Sequence, residues 1–87
     1  MKILAKNIDT IVVFKGAKKP MPYKFKFRDE HENTHEIIIG KILNIEEKKT
    51  AGIRTYNYLC ESVISGIEKQ YELKYILQDC KWQLYKM

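Results

Sequence analysis

The chain has 87 residues, 45% of them hydrophobic and 31% charged, with a net charge of +5. This length predicts a single domain over 1–87 with a modest core, and it leaves no room for a second domain or a deep, walled-off catalytic cleft. The composition is that of an ordinary soluble globule rather than a disordered chain.

Met1–Asp9 offers only Ile3, Leu4 and Ala5 as an apolar run before Lys6, too short for a signal-peptide core. No stretch approaches the roughly 20 apolar residues of a membrane span, so a cytoplasmic protein with no membrane partner is expected. The dominant hydrophobic period from here on is two. Ile8, Thr10, Val12 and Phe14 alternate with Asp9, Ile11, Val13 and Lys15, which predicts a first strand that is apolar on both faces in its middle. GAKKPMP, Gly16 to Pro22, reads as a loop. Tyr23, Phe25 and Phe27 then alternate with Lys24, Lys26 and Arg28, which predicts a strand with one buried aromatic face and one basic face.

The next segment, HENTHEIIIG, spells H-E-x-x-H over His31, Glu32 and His35, the pattern by which zinc hydrolases hold their metal. That chemistry requires a helix, because only i, i+4 spacing brings both imidazoles to one face with the Glu beside the metal-bound water. At 100° per residue His31, His35, Ile38, Ile39 and Ile42 do share a face, so periodicity alone does not dismiss the helix. Against it stand Asn33, Thr34, the β-branched run Ile37–Ile39, Gly40 within the segment and Glu46 on the apolar face. The sequence also supplies no third His. The expectation is a polar hairpin connection, DEHENTH, leading into a strand with Ile37, Ile39 and Leu43 facing the core. Gly40 marks a bend where the pairing strand comes close. No catalytic residue, metal site or cofactor is therefore assigned; a zinc-dependent hydrolase through His31, Glu32 and His35 is the remote alternative.

Glu46, Glu47, Lys48 and Lys49 read as a charged hairpin tip before Thr50, Ala51 and Gly52. Tyr56, Tyr58 and Cys60 share a face of the next strand, and Ser65–Gly66 supplies a turn. Ile67, Tyr71, Leu73, Tyr75 and Leu77 then alternate with polar residues, and after a turn at Asp79, Trp82 and Leu84 point one way. The predicted fold class is all-β: a single small antiparallel meander of about six strands, curled into a barrel or compact sandwich to limit open edges. The predicted core is Val12, Phe14, Phe25, Phe27, Ile37, Ile39, Leu43, Tyr58, Leu73, Tyr75, Trp82 and Leu84. Cys60 and Cys80 have no C-x-x-C pairing, and both are expected reduced and at least partly buried.

Charge is unevenly spread. Lys15, Lys18, Lys19, Lys24, Lys26 and Arg28 occur with no acid between them, and Asp29, Glu30, Glu32 and Glu36 follow with no base. The basic block is the candidate nucleic-acid contact, with the strictly alternating aromatics taken into the core so that only cations remain outside. No Gly-rich phosphate loop and no nucleophile beside a His is present.

PMPYKFKF, the hairpin into IIIGKIL, a basic turn, RTYNYL, YELKYI and KWQLYK together resemble a small uncharacterised bacterial all-β family. Its pattern is P-x-x-F, V-x-x-V-L, Y-x-L or Y-x-V, and W-x-L, over about Pro20 to Lys86. Some of that family's members are encoded near Y-family DNA polymerases; this chain departs from their pattern by carrying RDEHEN in place of their Trp-Arg-Gly hairpin, so the resemblance implies no shared partner. The resemblance implies no catalytic residue. The combined expectation is a non-enzymatic binding or accessory module, contacting nucleic acid or a nucleic-acid complex through the basic face. The alternative is a protein–protein interaction or self-association module acting through an exposed aromatic face or strand edge.

Overall fold

The computed structural model describes residues 1–87, and it is all-β with eight strands and one 3₁₀ turn at Leu77–Asp79. The strands are β1 (Ile3–Asn7), β2 (Asp9–Val13), β3 (Met21–Arg28), β4 (Thr34–Ile38), β5 (Lys41–Thr50), β6 (Ile53–Ile64), β7 (Ile67–Ile76) and β8 (Lys81–Lys86). They form two antiparallel sheets, one of five strands in the order β1-β8-β7-β6-β5 and one of three in the order β2-β3-β4. No helix is long and apolar enough to cross a membrane.

The chain passes between the sheets at two corners. At the first, Ile8 separates β1 from β2 and donates its N–H to the Trp82 carbonyl at 3.2 Å. At the second, between β4 and β5, Ile39 donates to the Tyr23 carbonyl in one sheet and Gly40 to the Glu61 carbonyl in the other. The bend at Gly40 and the close approach of the pairing strand are as the sequence predicts. A Cβ at Gly40 would lie 2.9 Å from the Glu61 carbonyl oxygen, a distance that side-chain-bearing residues do not tolerate. Ser62 ties the corner down: its hydroxyl donates to the Ile38 carbonyl at 2.9 Å and lies 2.6 Å from the Tyr71 hydroxyl.

These corners explain why there are eight strands rather than about six. The predicted strand through Ile37–Leu43 is cut in two where it changes sheets. β1 is an edge strand whose apolar residues run consecutively and whose pairing with β8 shifts register between Ile3 and Lys6, with Ala5 at positive φ, so no period-two alternation marks it; of its residues Leu4 packs partly buried against the core. The barrel alternative does not form, because the sheets stay separate with open edges at β1, β5, β2 and β4.

The core lies between the sheets. Phe25 and Ile37 come from the three-stranded sheet and meet Tyr58, Cys60, Tyr71, Leu73, Tyr75, Trp82 and Leu84 from the five-stranded one. Phe25 and Tyr71 rings, 5.5 Å apart, join the two layers. Seven of the twelve predicted core residues are buried; Val12, Phe27 and Ile39 are half-buried against the cluster. Leu43 and Phe14 are exposed, and each miss has a local cause. Leu43 falls at a register shift in β5, where two residues face one of the partner, so it leaves the inward row. Phe14 lies beyond the end of β2 in the loop to β3, 64% exposed.

A second shift, opposite Ile11–Val12, leaves Tyr23 without a partner on β2 and turns it outward, against the expected single aromatic face. Pro22 and Phe25 point inward in its place. Cys60 is fully buried, and burial pushes its thiol up to about 12; Cys80, expected to be partly buried, is exposed at the end of the 3₁₀ turn.

Candidate nucleic-acid interface

The H-E-x-x-H segment sits in the β3–β4 hairpin, not on a helix. His31 and Glu32 lie in the connection and His35 on β4, directly opposite Phe27 of β3. Asp29 organises the connection through its carboxylate. One oxygen accepts the backbone N–H of His31 at 2.8 Å and of Asn33 at 3.0 Å, and the other is 2.7 Å from His35 Nε2. The His35 ring stacks on Phe27, centroids 5.1 Å apart. This is an Asx-type turn built by an aspartate, with the histidine spent on closing it. No group of three or more His, Cys, Asp or Glu side chains lies close enough together to hold a metal ion, and His31, Glu32 and His35 occupy a turn and a strand rather than one face of a helix.

The hydrogen bond from His35, with the two backbone donors, holds the Asp29 carboxyl down at about 2, against an ordinary 3.8. A carboxyl depressed on folding stabilises the folded form fully above its unfolded value, and that contribution is lost as pH falls from about 4 towards 2. The expected outcome is a carbon-13 titration of the Asp29 carboxyl with its midpoint near 2, accompanied by movement of the His31 and Asn33 amide signals. A midpoint near 4 would show that the turn is not held this way.

The six predicted cations do not form one continuous patch. Lys24 donates to Glu36 across β3–β4 at 2.7 Å, and Lys26 lies 4.0 Å from the same carboxylate, so the acidic block after Arg28 folds back on the basic strand. The pairing lowers Glu36 and raises Lys24 from their ordinary values. Arg28 ends β3, where its carbonyl accepts a hydrogen bond from the Lys6 ammonium at 3.1 Å. Lys15, Lys18 and Lys19 lie at the other end of the strand, in the β2–β3 loop. An eight-residue strand spans roughly 23 Å, so Arg28 is far from them.

The loop is fastened to the five-stranded sheet. The Tyr58 hydroxyl donates to the Pro20 carbonyl at 2.5 Å, and the Lys19 ammonium lies 5.3 Å from the centre of the Tyr56 ring. The loop lysines therefore stand beside the β5–β6 hairpin. The sequence gives EEKKT as a loop tip; it is the end of β5, and the turn itself is Ala51–Gly52 with both residues at positive φ. Alternation along the strand and the pairing Lys49 to Arg54 and Glu47 to Tyr56 put these four residues on the loop's side of the sheet. Arg54 is bonded to Glu47, and Lys48 lies 3.7 Å from Glu46. Lys15, Lys18, Lys19 and Lys49 take part in no ion pair.

Searches against protein-family models, curated proteins and solved structures find no match for this chain. At this end of the molecule Lys19 sits over Tyr56, with Lys49 and the Glu47-bonded Arg54 on the same face of the hairpin, and the loop that carries Lys19 also carries Lys15, Lys18 and the exposed Phe14. Sequence reading finds the loop lysines but places Phe14 in the core and assigns Tyr56, Lys49 and Arg54 no part in the site. Those three lie some 30 residues downstream in a hairpin, and only the tertiary fold brings them to the loop.

Proposed function

We propose that this chain is a non-catalytic β module that contacts single-stranded nucleic acid through the β2–β3 loop and the adjoining β5–β6 hairpin. The observation that carries this reading is an exposed aromatic, Phe14, on a loop whose three lysines are free of ion pairs. Unpaired ammonium groups neutralise backbone phosphates and release counterions, and an exposed ring gives an unpaired base a stacking surface. The basic strand contributes less than its composition suggests, because Glu36 already occupies Lys24.

Binding of a labelled single-stranded oligonucleotide, followed by fluorescence anisotropy, is expected to weaken steeply as salt rises. The logarithmic slope should correspond to about three or four phosphate contacts at roughly 0.7 each. Affinity independent of salt would contradict the proposal.

Self-association is the second reading, favoured by Ile11 and Ile38, both exposed on the outer face of the three-stranded sheet and flanking Lys24 across adjacent strands. Edge strands β2 and β4 carry them. It requires a salt-insensitive mass above that of the monomer in sedimentation.

A further inference from the structure

We infer that the outer face of the five-stranded sheet carries a separate subsite that accepts one nucleotide unit. This inference rests on the nucleic-acid reading above, and it uses the opposite face of the same β5–β6 hairpin together with β7 and β8. The subsite is a groove of about 490 Å³ on the side of the sheet away from the core, with Lys48, Thr55, Asn57, Lys74, Gln83 and Tyr85 among its lining residues.

These side chains come from four adjacent strands, and the register explains their convergence. Asn57 of β6 lies opposite Lys74 of β7, which lies opposite Gln83 of β8, and Lys48 of β5 lies opposite Thr55 of β6. Asn57 is the unusual member. It faces the solvent side of the sheet and yet is only 3% exposed, so it forms the floor of the groove. Its carbonyl oxygen accepts the Thr55 hydroxyl at 2.9 Å, while its amide nitrogen makes no hydrogen bond within the protein. The amide nitrogen is not among the sealed polar atoms that lack a partner, so it opens onto the groove, where its donors are free for an acceptor on a ligand.

The rest of the lining narrows that acceptor. No acidic residue lines the groove, which removes the ligands a cation would need; Lys74 favours an anion, and Lys48 adds to it although it lies 3.7 Å from the Glu46 carboxylate outside the lining. Ile53 and Ile76 supply apolar walls. The Lys74 ammonium is held 3.6 Å from the centre of the Tyr85 ring, which fixes its position at the edge of the groove. An anionic ligand with a flat apolar body and an acceptor edge satisfies all of these. A nucleotide has that chemistry: base carbonyl or ring nitrogen towards Asn57 and Gln83, phosphate towards Lys48 and Lys74. The volume is within the range of small-ligand sites, roughly 300–1,000 Å³.

The groove and the lysine loop lie on opposite sides of one hairpin. Lys48 and Thr55 face the groove, and Lys49 and Arg54, next to them in sequence, face the loop. The same nucleotide chemistry can arrive as a free mononucleotide or as one unit of a strand that rounds the Ala51–Gly52 turn.

The test is a nitrogen-15 NMR titration of the full chain with dTMP, with AMP and with a ten-residue oligothymidylate, and with ribose 5-phosphate as the control lacking a base. The expected result is movement of the Asn57 and Gln83 side-chain amides with at least one nucleotide or with the oligomer, and weakening by about tenfold in Gln83→Ala and in Asn57→Asp. Gln83→Ala, at a half-buried position, keeps the test decisive where Asn57→Asp fails to fold. Movement with dTMP or AMP identifies a free-nucleotide subsite, and movement with the oligomer alone identifies a unit read within a strand.

Silence of both amides towards all three probes overturns the inference. Equal shifts with ribose 5-phosphate, unaltered in Gln83→Ala, overturn it too, since the base would then play no part. An oligomer that moves Phe14–Lys19 but not the groove leaves the loop reading standing and this one fallen. Groove binding that persists while the loop stays silent shows the reverse.

Discussion

Replacing Trp82 with Ala is expected to lower the stability of the domain by about 3–5 kcal/mol. The indole is almost wholly buried, with its ring centre 4.7 Å from that of Tyr75 and 5.2 Å from that of Tyr58. Its own backbone carbonyl receives the Ile8 N–H at the first corner, so the residue packs the core and anchors the crossing between sheets. Truncation leaves a cavity among rigid rings that cannot collapse to fill it. Domains carry roughly 0.05–0.15 kcal/mol of stability per residue, so this one change removes a large share of the total. Urea unfolding followed by circular dichroism measures it as a fall in midpoint, and a loss well under 1 kcal/mol would show that Trp82 does not hold the sheets together.

The second large effect concerns binding. Reversing Lys15, Lys18 and Lys19 to Glu changes the charge by two at each of three positions and takes the net charge from +5 to −1. Affinity for a single-stranded oligonucleotide at moderate salt should fall on the order of 100-fold. Folding should be little affected, because none of the three makes an ion pair; Lys19 gives up an exposed contact with Tyr56, worth about 0.5–1 kcal/mol, and the favourable field of its charge on the nearby Glu47 carboxylate. Reversal at Lys24 should behave differently, setting two carboxylates against each other across β3–β4 in place of the Lys24–Glu36 pair. It perturbs the hairpin and has the smaller effect on binding. Equal affinity in the triple variant and the native chain would remove the loop from any role in recognition.

The all-β class and most of the core are legible from period-two alternation, because that signal is local and the strands obey it. Tyr71, Leu73 and Tyr75 on β7 and Trp82 and Leu84 on β8 are buried where alternation puts them. The polar DEHENTH connection is equally legible, since Asp29 and Asn33 build their turn from neighbouring backbone groups. What defeats alternation is a shift of register. Bulges at Leu43 and Tyr23 each reverse the parity of the strand, and nothing in a two-residue period marks where an extra residue enters. Chain ends of strands mislead in the same way: Phe14 continues the pattern of Ile8, Thr10 and Val12 one step past the sheet that would bury it.

The candidate site was half visible for a related reason. A run such as GAKKPMP is seen directly, whereas the ion pair that silences Lys24 and the hairpin that brings Tyr56, Lys49 and Arg54 to the loop depend on pairings between distant strands. The groove around Asn57 had no sequence signal at all. Its floor residue is an asparagine on the outward row of a strand, which reads as solvated surface until the fold shows it to be covered.

The most direct measurement is a map of amide shift changes when a short single-stranded oligothymidylate is added to the nitrogen-15-labelled chain. The largest changes are expected at Phe14, Lys15, Lys18 and Lys19, with Lys49, Arg54 and Tyr56 moving alongside them. Changes confined to Ile11, Lys24 and Ile38 on the outer face of the three-stranded sheet, or none at saturating oligonucleotide, would contradict that expectation.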